Sequence, residues 1–347
     1  MLMTSKHLKD LSFPTSTIWL LEEIAESKGK QSLFTHQSPQ RLKAIRDQAL
    51  IQSVESSNRI EGVVADPHRL APLVLGRAKP RDRSESEIQG YRNALNLIHG
   101  KWDKLEITPK LCLEFHAMIQ AESGDAGQWK QSDNEIVELH EDHEPTIRFR
   151  PTSAKQTPNS VAKLCDAYQS MKPNSELPSL VLDAFFILDF LCIHPFRDGN
   201  GRVSRLLSLL TCYQNGYEVG RFISLERLVE TAKEDYYDVL YQCSQGWHED
   251  DNEWLPWTNF YLGIIRNAYS QLVERASREP SGSGIKRALI EEAVMSFADQ
   301  FSLSELEQRC PGVSRDMVRR VLRELRDSNQ VQCLGRGPGT KWQRTPR

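Results

Sequence analysis

Much of what would classify this chain at a glance is missing from it. There is no Cys-x-x-Cys, and the seven cysteines (112, 165, 192, 212, 243, 310 and 333) are odd in number and widely spread. That argues against a disulfide framework and for reduced thiols serving as small apolar side chains in a cytoplasm. There is no long uncharged apolar run. The most apolar segment, Val181 to Ile193, carries Asp183 and Asp189 and is too short to span a bilayer, so it reads as a buried helix and no membrane partner is expected. Met1 to Leu11 has no apolar stretch between a basic start and a small-residue cleavage site, so no signal peptide is expected. Charge of one sign is scarce as well. A net charge of −3 argues against wholesale binding to nucleic acid or a membrane surface and leaves room only for a local basic patch. No internal repeat is visible. His140-Glu141-Asp142-His143-Glu144 lacks the i, i+4 histidine pair of a zinc helix and reads as a solvated loop.

What is present is a chain of 347 residues with 39% apolar and 26% charged residues, enough for two or three ordinary globular domains. Apolar spacing predicts mostly helices: Thr15 to Ser27, a helix from Ser38-Pro39 to Ile60, one started by the capping-box spacing of Ser84-Glu85-Ser86-Glu87, one after Thr108-Pro109, then 160–171, 177–193, 202–215, 225–243 and 254–278. Asp66-Pro67 and Lys79-Pro80 punctuate a connector between the second and third of these. The polar stretch from Gly124 to Pro151 holds short alternating pieces, Glu135-Ile136-Val137 and Ile147-Arg148-Phe149, and is the one β-hairpin candidate of the helical part. Residues 277–284 are a linker by composition. Beyond it, a helix from Ile285, a capping box at Ser302-Leu303-Ser304-Glu305, an arginine-bearing helix from Ser314 to Asp327 and a glycine-rich hairpin spell a winged helix-turn-helix over 285–347. That region carries twelve Lys/Arg against eight Asp/Glu, so DNA is a candidate partner there. The expected division is 1–105, 106–276, linker 277–284 and 285–347.

One stretch concentrates the chemistry: His194-Pro195-Phe196-Arg197-Asp198-Gly199-Asn200-Gly201-Arg202-Val203-Ser204-Arg205. An apolar helix delivers the chain to it and a second carries the chain away. Free N–H groups at a helix start carry partial positive charge, and glycines let a phosphate approach them. Arg202 and Arg205, one turn apart, add planar donors for phosphate oxygens. Asp198 beside a phosphate site suits magnesium, which takes few protein carboxylates. His194, as a neutral imidazole, could accept a proton. Together these point to transfer chemistry on a nucleoside polyphosphate.

The stretch resembles, at every fixed position, the signature of the Fic family (filamentation induced by cAMP), His-Pro-Phe-x-Asp/Glu-Gly-Asn-Gly-Arg-x-x-Arg. The resemblance extends over roughly residues 10–275. It implies a mainly α fold, a Fic-type helical bundle with a β-hairpin flap that aligns a target segment by strand-like pairing. It also implies transfer of AMP from ATP to a Ser, Thr or Tyr hydroxyl of a protein, with pyrophosphate released. On that likeness His194 is the base and Asp198 the magnesium ligand. Gly199, Asn200 and Gly201 form an anion hole continued by Val203 and Ser204, while Arg202 and Arg205 hold the β- and γ-phosphates. Tyr237 lines the adenine pocket. Ser57-Asn58-Arg59-Ile60-Glu61-Gly62 resembles the family's inhibitory pattern, in which Glu61, with Ser57, would occupy Arg205; the same residues also read as a helix C-terminus closed by Gly62. Alternative readings are a DNA-binding regulator whose Fic domain senses nucleotide or modifies only itself, and an enzyme in which Glu61 also supports removal of AMP. The target protein, itself included, is not legible, and oligomeric state is open, a homodimer among the options.

Overall fold

The molecule is described as a computed structural model over residues 1–4, 8, 11–35, 39–138, 146–173, 176–277, 282–297, 299–310, 313–335 and 340–345. In chain order the elements are α1 (Thr15–Thr35), α2 (Pro39–Ile60), α3 (Pro67–Val74), α4 (Arg83–Lys101), α5 (Pro109–Ile119), β1 (Ile136–Glu138), β2 (Thr146–Phe149), α6 (Thr157–Met171), α7 (Ser179–Ile193), α8 (Asn200–Gln214), α9 (Leu225–Thr231), α10 (Lys233–Ser244), α11 (Leu255–Ser277), α12 (Gly282–Met295), β3 (Phe301–Ser302), α13 (Leu303–Arg309), α14 (Arg315–Asp327), β4 (Val331–Cys333) and β5 (Lys341–Arg344). The fold is mainly helical with two small antiparallel sheets. Among the described residues no helix is long and apolar enough to cross a membrane.

α7 is the central post. Its sequence is apolar on every side, and it is buried on every side against α6, α8 and α11. The two aspartates that interrupt it are buried and satisfied. Asp183 accepts from Tyr168 Oη at 2.7 Å and from Asn215 Nδ2. Asp189 accepts from the main-chain N–H groups of Leu2 and Met3 and from Trp247 Nε1. α8 packs back along α7, so the turn between them is held at one end of the core. The expected hairpin is β1–β2, with Val137 facing Ile147 and Glu138 facing Thr146. Phe149 stacks on His248, and the Arg148 carbonyl accepts from Gln245, which docks the hairpin on the end of α10.

Several sequence-level boundaries move. The helix expected over 225–243 is two helices, broken at Ala232, whose φ of −107° and ψ of 36° leave the helical region. The connector contains α3, started by an Asp66 cap on the His68 N–H. The cap of α4 is Asp82, which accepts from the Glu85 N–H, and not Ser84; Glu85 and Glu87 lie inside the helix. α12 begins at Gly282, so helix occupies part of the segment read as linker. Ser302 and Glu305 form the expected capping box. Ser38, the 140–144 acidic-histidine run and the tip of the C-terminal hairpin lie outside the described residues.

After α11 the chain builds a second, smaller core. Ile290, Val294, Phe301, Leu306, Val318 and Leu322 pack together, with α12, α13 and α14 against a sheet in the order β3–β5–β4.

Candidate functional site

α7 stops at His194 because Pro195 follows and disfavours a helical residue before it. His194 takes a left-handed conformation, φ 50° and ψ 62°, which in a non-glycine residue costs about 1 kcal/mol and has to be held by its surroundings. Three hydrogen bonds hold it: His194 N–H to Phe190 O at 3.0 Å, Lys130 N–H to Pro195 O at 2.9 Å, and Lys130 Nζ to Ile193 O at 3.2 Å. The imidazole faces a cleft, and its pKa is lowered to about 4, first by burial and then by the nearby Lys130 ammonium. At neutral pH it is an uncharged proton acceptor.

The turn that follows is built like a clasp. Asn200 folds back onto Phe196, its Oδ1 accepting from the Phe196 N–H at 2.9 Å and its Nδ2 donating to the Phe196 carbonyl at 2.8 Å. The Asn200 side chain is therefore spent on the loop, and only its main chain is left for a ligand. Phe196 is stacked on His116, ring centroids 3.9 Å apart, and lies beside Trp129. His116 Nδ1 accepts from the Gly127 N–H, so its Nε2 carries the proton and donates to the Asp198 carbonyl at 3.1 Å. Gln120 Nε2 donates to Asp198 Oδ2 at 2.8 Å, and the Gly199 N–H donates to Asp198 Oδ1.

Gly199, with φ +81°, starts α8 without any side-chain cap, leaving first-turn N–H groups without one. A Cβ on Gly201 would collide with Glu61 Oε1 and lie 3.1 Å from Arg205 Nη1. The Glu61 carboxylate thus lies over the first turn of α8, where an anion is favoured. It accepts from Arg205 Nη2 at 2.7 Å, while Arg205 Nε donates to Ser57 Oγ at 2.8 Å and Nη2 to the Ser57 carbonyl at 2.9 Å. Arg205 Nη1 is buried with no hydrogen-bond partner among the described residues. Gly62, at φ +77°, does end α2, so the helix-terminus reading of this stretch and the pairing with Arg205 hold at once.

The two signature arginines differ in setting. Arg202 is fully buried, its Nη1 2.5 Å from Glu87 Oε2 and its Nη2 3.4 Å from Asp198 Oδ2. Two of its nitrogens face these carboxylates, and its Nε is buried with no hydrogen-bond partner among the described residues. Val203 is core, and Ser204 donates to the Gly201 carbonyl at 2.8 Å, so neither side chain is turned to a ligand.

His194, Gly201 and Glu61 line one cleft, of about 720 Å³ with its open mouth. Tyr236, Tyr237 and Leu240 of α10, Leu191 of α7, and Ile136 and Phe149 of the hairpin line it as well. Tyr237 is partly exposed there, whereas its neighbour Tyr236 is buried. Among the described residues no group of three or more His, Cys, Asp or Glu could hold a metal unaided.

A model of the Fic/DOC family matches residues 106–212. Over those residues the chain is similar to the Fic/DOC family. The matched segment runs from just before α5 to nearly the end of α8, so it contains His194 to Arg205, while Ser57, Glu61 and Tyr237 lie outside it. Three solved structures share the fold. A Fic family protein from Desulfovibrio desulfuricans G20 aligns with a TM-score of 0.62 at 20% identity over 97% of this chain and 98% of its own. A Fic domain containing signaling protein from Bacteroides thetaiotaomicron VPI-5482 gives 0.62 at 20% identity over 75% and 99%. Fic-1 from C. elegans gives 0.57 at 18% identity over 74% and 72%.

Four residues around the Fic signature escaped the sequence reading: His116, Gln120, Lys130 and Glu87. Each reaches the signature from another element, and none sits in a spacing that announces it. Only Trp129-Lys130, an aromatic and a cation inside a polar stretch, hinted that something there is buried.

Proposed function

We propose that this Fic-domain protein is an adenylyltransferase that moves AMP from ATP to a Ser, Thr or Tyr hydroxyl of a protein. The observation that carries the reading is the shared cleft: a neutral imidazole and an uncapped helix start, with the Glu61 carboxylate between that cleft and the buried Arg205, whose Nη1 has no partner among the described residues. In the proposed reaction His194 takes the hydroxyl proton and the freed oxygen attacks the α-phosphorus. The bond between the α-phosphorus and the bridging oxygen breaks, and pyrophosphate leaves with the electron pair. The first-turn N–H groups of α8 stabilise the charge that develops. Tyr237 and Leu240 offer the purine an aromatic and apolar wall. Asp198, held by Gln120 and with its side chain 60% exposed, fits magnesium brought in with the polyphosphate, where one protein carboxylate suffices. When bound, the metal would neutralise phosphate charge.

On this reading Glu61 occupies the place and the arginine that a terminal phosphate would need, and its pairing with Arg205 supports a restraint on transfer. The first prediction follows. Glu61→Gly raises transfer of label from α-labelled ATP to protein by about tenfold or more, and His194→Ala abolishes it. Label from γ-labelled ATP stays off the protein. Equal activity of wild type and Glu61→Gly would sink the restraint, and γ-label on protein would sink AMP transfer.

The C-terminal unit supports a second, separate reading as a winged helix that binds DNA. Arg319 and Arg323 of α14 are exposed and have no ion-pair partner among the described residues, whereas Arg315, Arg320 and Arg326 pair with neighbouring acids. Retention of the whole protein on duplex DNA that weakens steeply with salt would support it.

A further inference from the structure

We propose that Lys130 is a positioning residue for His194, holding the base in its left-handed conformation and keeping it aimed, unprotonated, into the cleft. The inference rests on the transfer reaction proposed above for its activity test, but not for its geometry.

Lys130 ties down both carbonyls that flank His194. Its main-chain N–H donates to Pro195 O and its Nζ to Ile193 O. One residue therefore fixes the peptide planes on either side of the base. The residue is 5% exposed, which is rare for lysine. Its second acceptor is the neutral Asn134 Oδ1, and among the described residues no carboxylate lies within ion-pair distance of it. A lysine serving only stability at such a depth is ordinarily paired with an acid, because an uncompensated buried charge is costly. Here the amine has no ion pair, Asp133 acting on it only from beyond ion-pair distance, and it sits next to an imidazole.

That arrangement answers a problem created by the substrate. A nucleoside triphosphate brings several negative charges beside His194, and each favours the imidazolium. A base that picks up a proton from solvent cannot take one from the target. The charged groups facing His194 are Lys130 from the loop after α5, Glu61 at the end of α2 and Asp198 in its own turn. The first is the only cation of the three, and it opposes the two acids and the incoming phosphates. Burial leaves the amine with a pKa of about 8, so it is mainly charged at neutral pH.

The test uses the full-length protein and has one readout that needs no catalysis. The ring resonance of His194, assigned by its loss in His194→Ala, is titrated by NMR in wild type, Lys130→Met, Lys130→Gln and Lys130→Arg. Met and Gln should raise the midpoint by about one unit, and Arg should leave it near the wild-type value. In the Glu61→Gly background, kcat for AMP transfer should fall about tenfold with Met, KM for ATP should change less than about twofold, and Arg should recover most of the loss. An unchanged midpoint in both Met and Gln overturns the proposal, as does an unchanged kcat in a Met variant that folds. If the Met variant fails to fold, Gln, which keeps a donor for Ile193 O, decides the question. If Glu61→Gly transfers nothing while the titration shifts as stated, the transfer reaction fails and Lys130 keeps its role.

Discussion

A methyl group at Gly201 has nowhere to go. It would strike Glu61 Oε1 and crowd Arg205 Nη1, the space where a phosphate oxygen would enter. Gly201→Ala should therefore weaken ATP binding by about tenfold even when Glu61 is already Gly, measured by calorimetry, because the obstruction is not the glutamate alone. The two signature arginines separate at this scale too. Arg202→Ala takes from buried Glu87 one of its two cations, Arg83 remaining on the other oxygen, and should cost about 1–3 kcal/mol of stability in urea unfolding. Arg205→Ala should act chiefly on nucleotide binding. From sequence the pair looked equivalent, since a three-residue spacing puts both on one helix face. What distinguishes them is Glu87, over a hundred residues upstream and read there as part of a cap. The Glu61–Arg205 pairing, by contrast, was legible, because both partners sit in recognisable patterns.

At the scale of elements, α7 shows how a buried helix can carry acids. Burial raises Asp183 to about 7 and Asp189 to about 6, against hydrogen bonds that pull the other way. The folded chain thus holds protons there at pH values where the unfolded chain has lost them. Stability from this source is full below the ordinary carboxylate range and declines as pH rises through 6 and 7. The urea midpoint should fall between pH 5 and pH 8, and Asp183→Asn should flatten that slope. The helix itself was readable from its apolar run. The break between α9 and α10 was not, because Ala232 is neither glycine nor proline and the kink is set by packing. α3 was hidden by prolines at positions 67 and 72, the first of which starts a helix while the second is tolerated inside one.

At the scale of the molecule there are two hydrophobic cores that share no buried residue. Contacts between the two parts include Gln308 with His68 and Arg275 with Glu292. Phe301→Ala should remove about 3–5 kcal/mol from the smaller core, and hydrogen exchange should speed up over 282–345 while α5 to α8 keep their protection. A second hydrophobic cluster was foreseeable from the shift in composition after α11. How the two parts touch was not, since the side chains at the seam belong to no pattern.

The carboxylate of Glu61 is a ligand the protein never has to find. Being tethered, its effective concentration does not vary with supply, so on the proposed reading nucleotide would have to displace a competitor that cannot be diluted away. On the proposed reading this makes α2 and the cleft thermodynamically linked. Any partner that draws α2 off Arg205 raises the affinity for ATP by some factor, and ATP must then raise the affinity for that partner by the same factor. Nucleotide dependence of binding is therefore a signature by which such a partner could be recognised among the proteins of its cell.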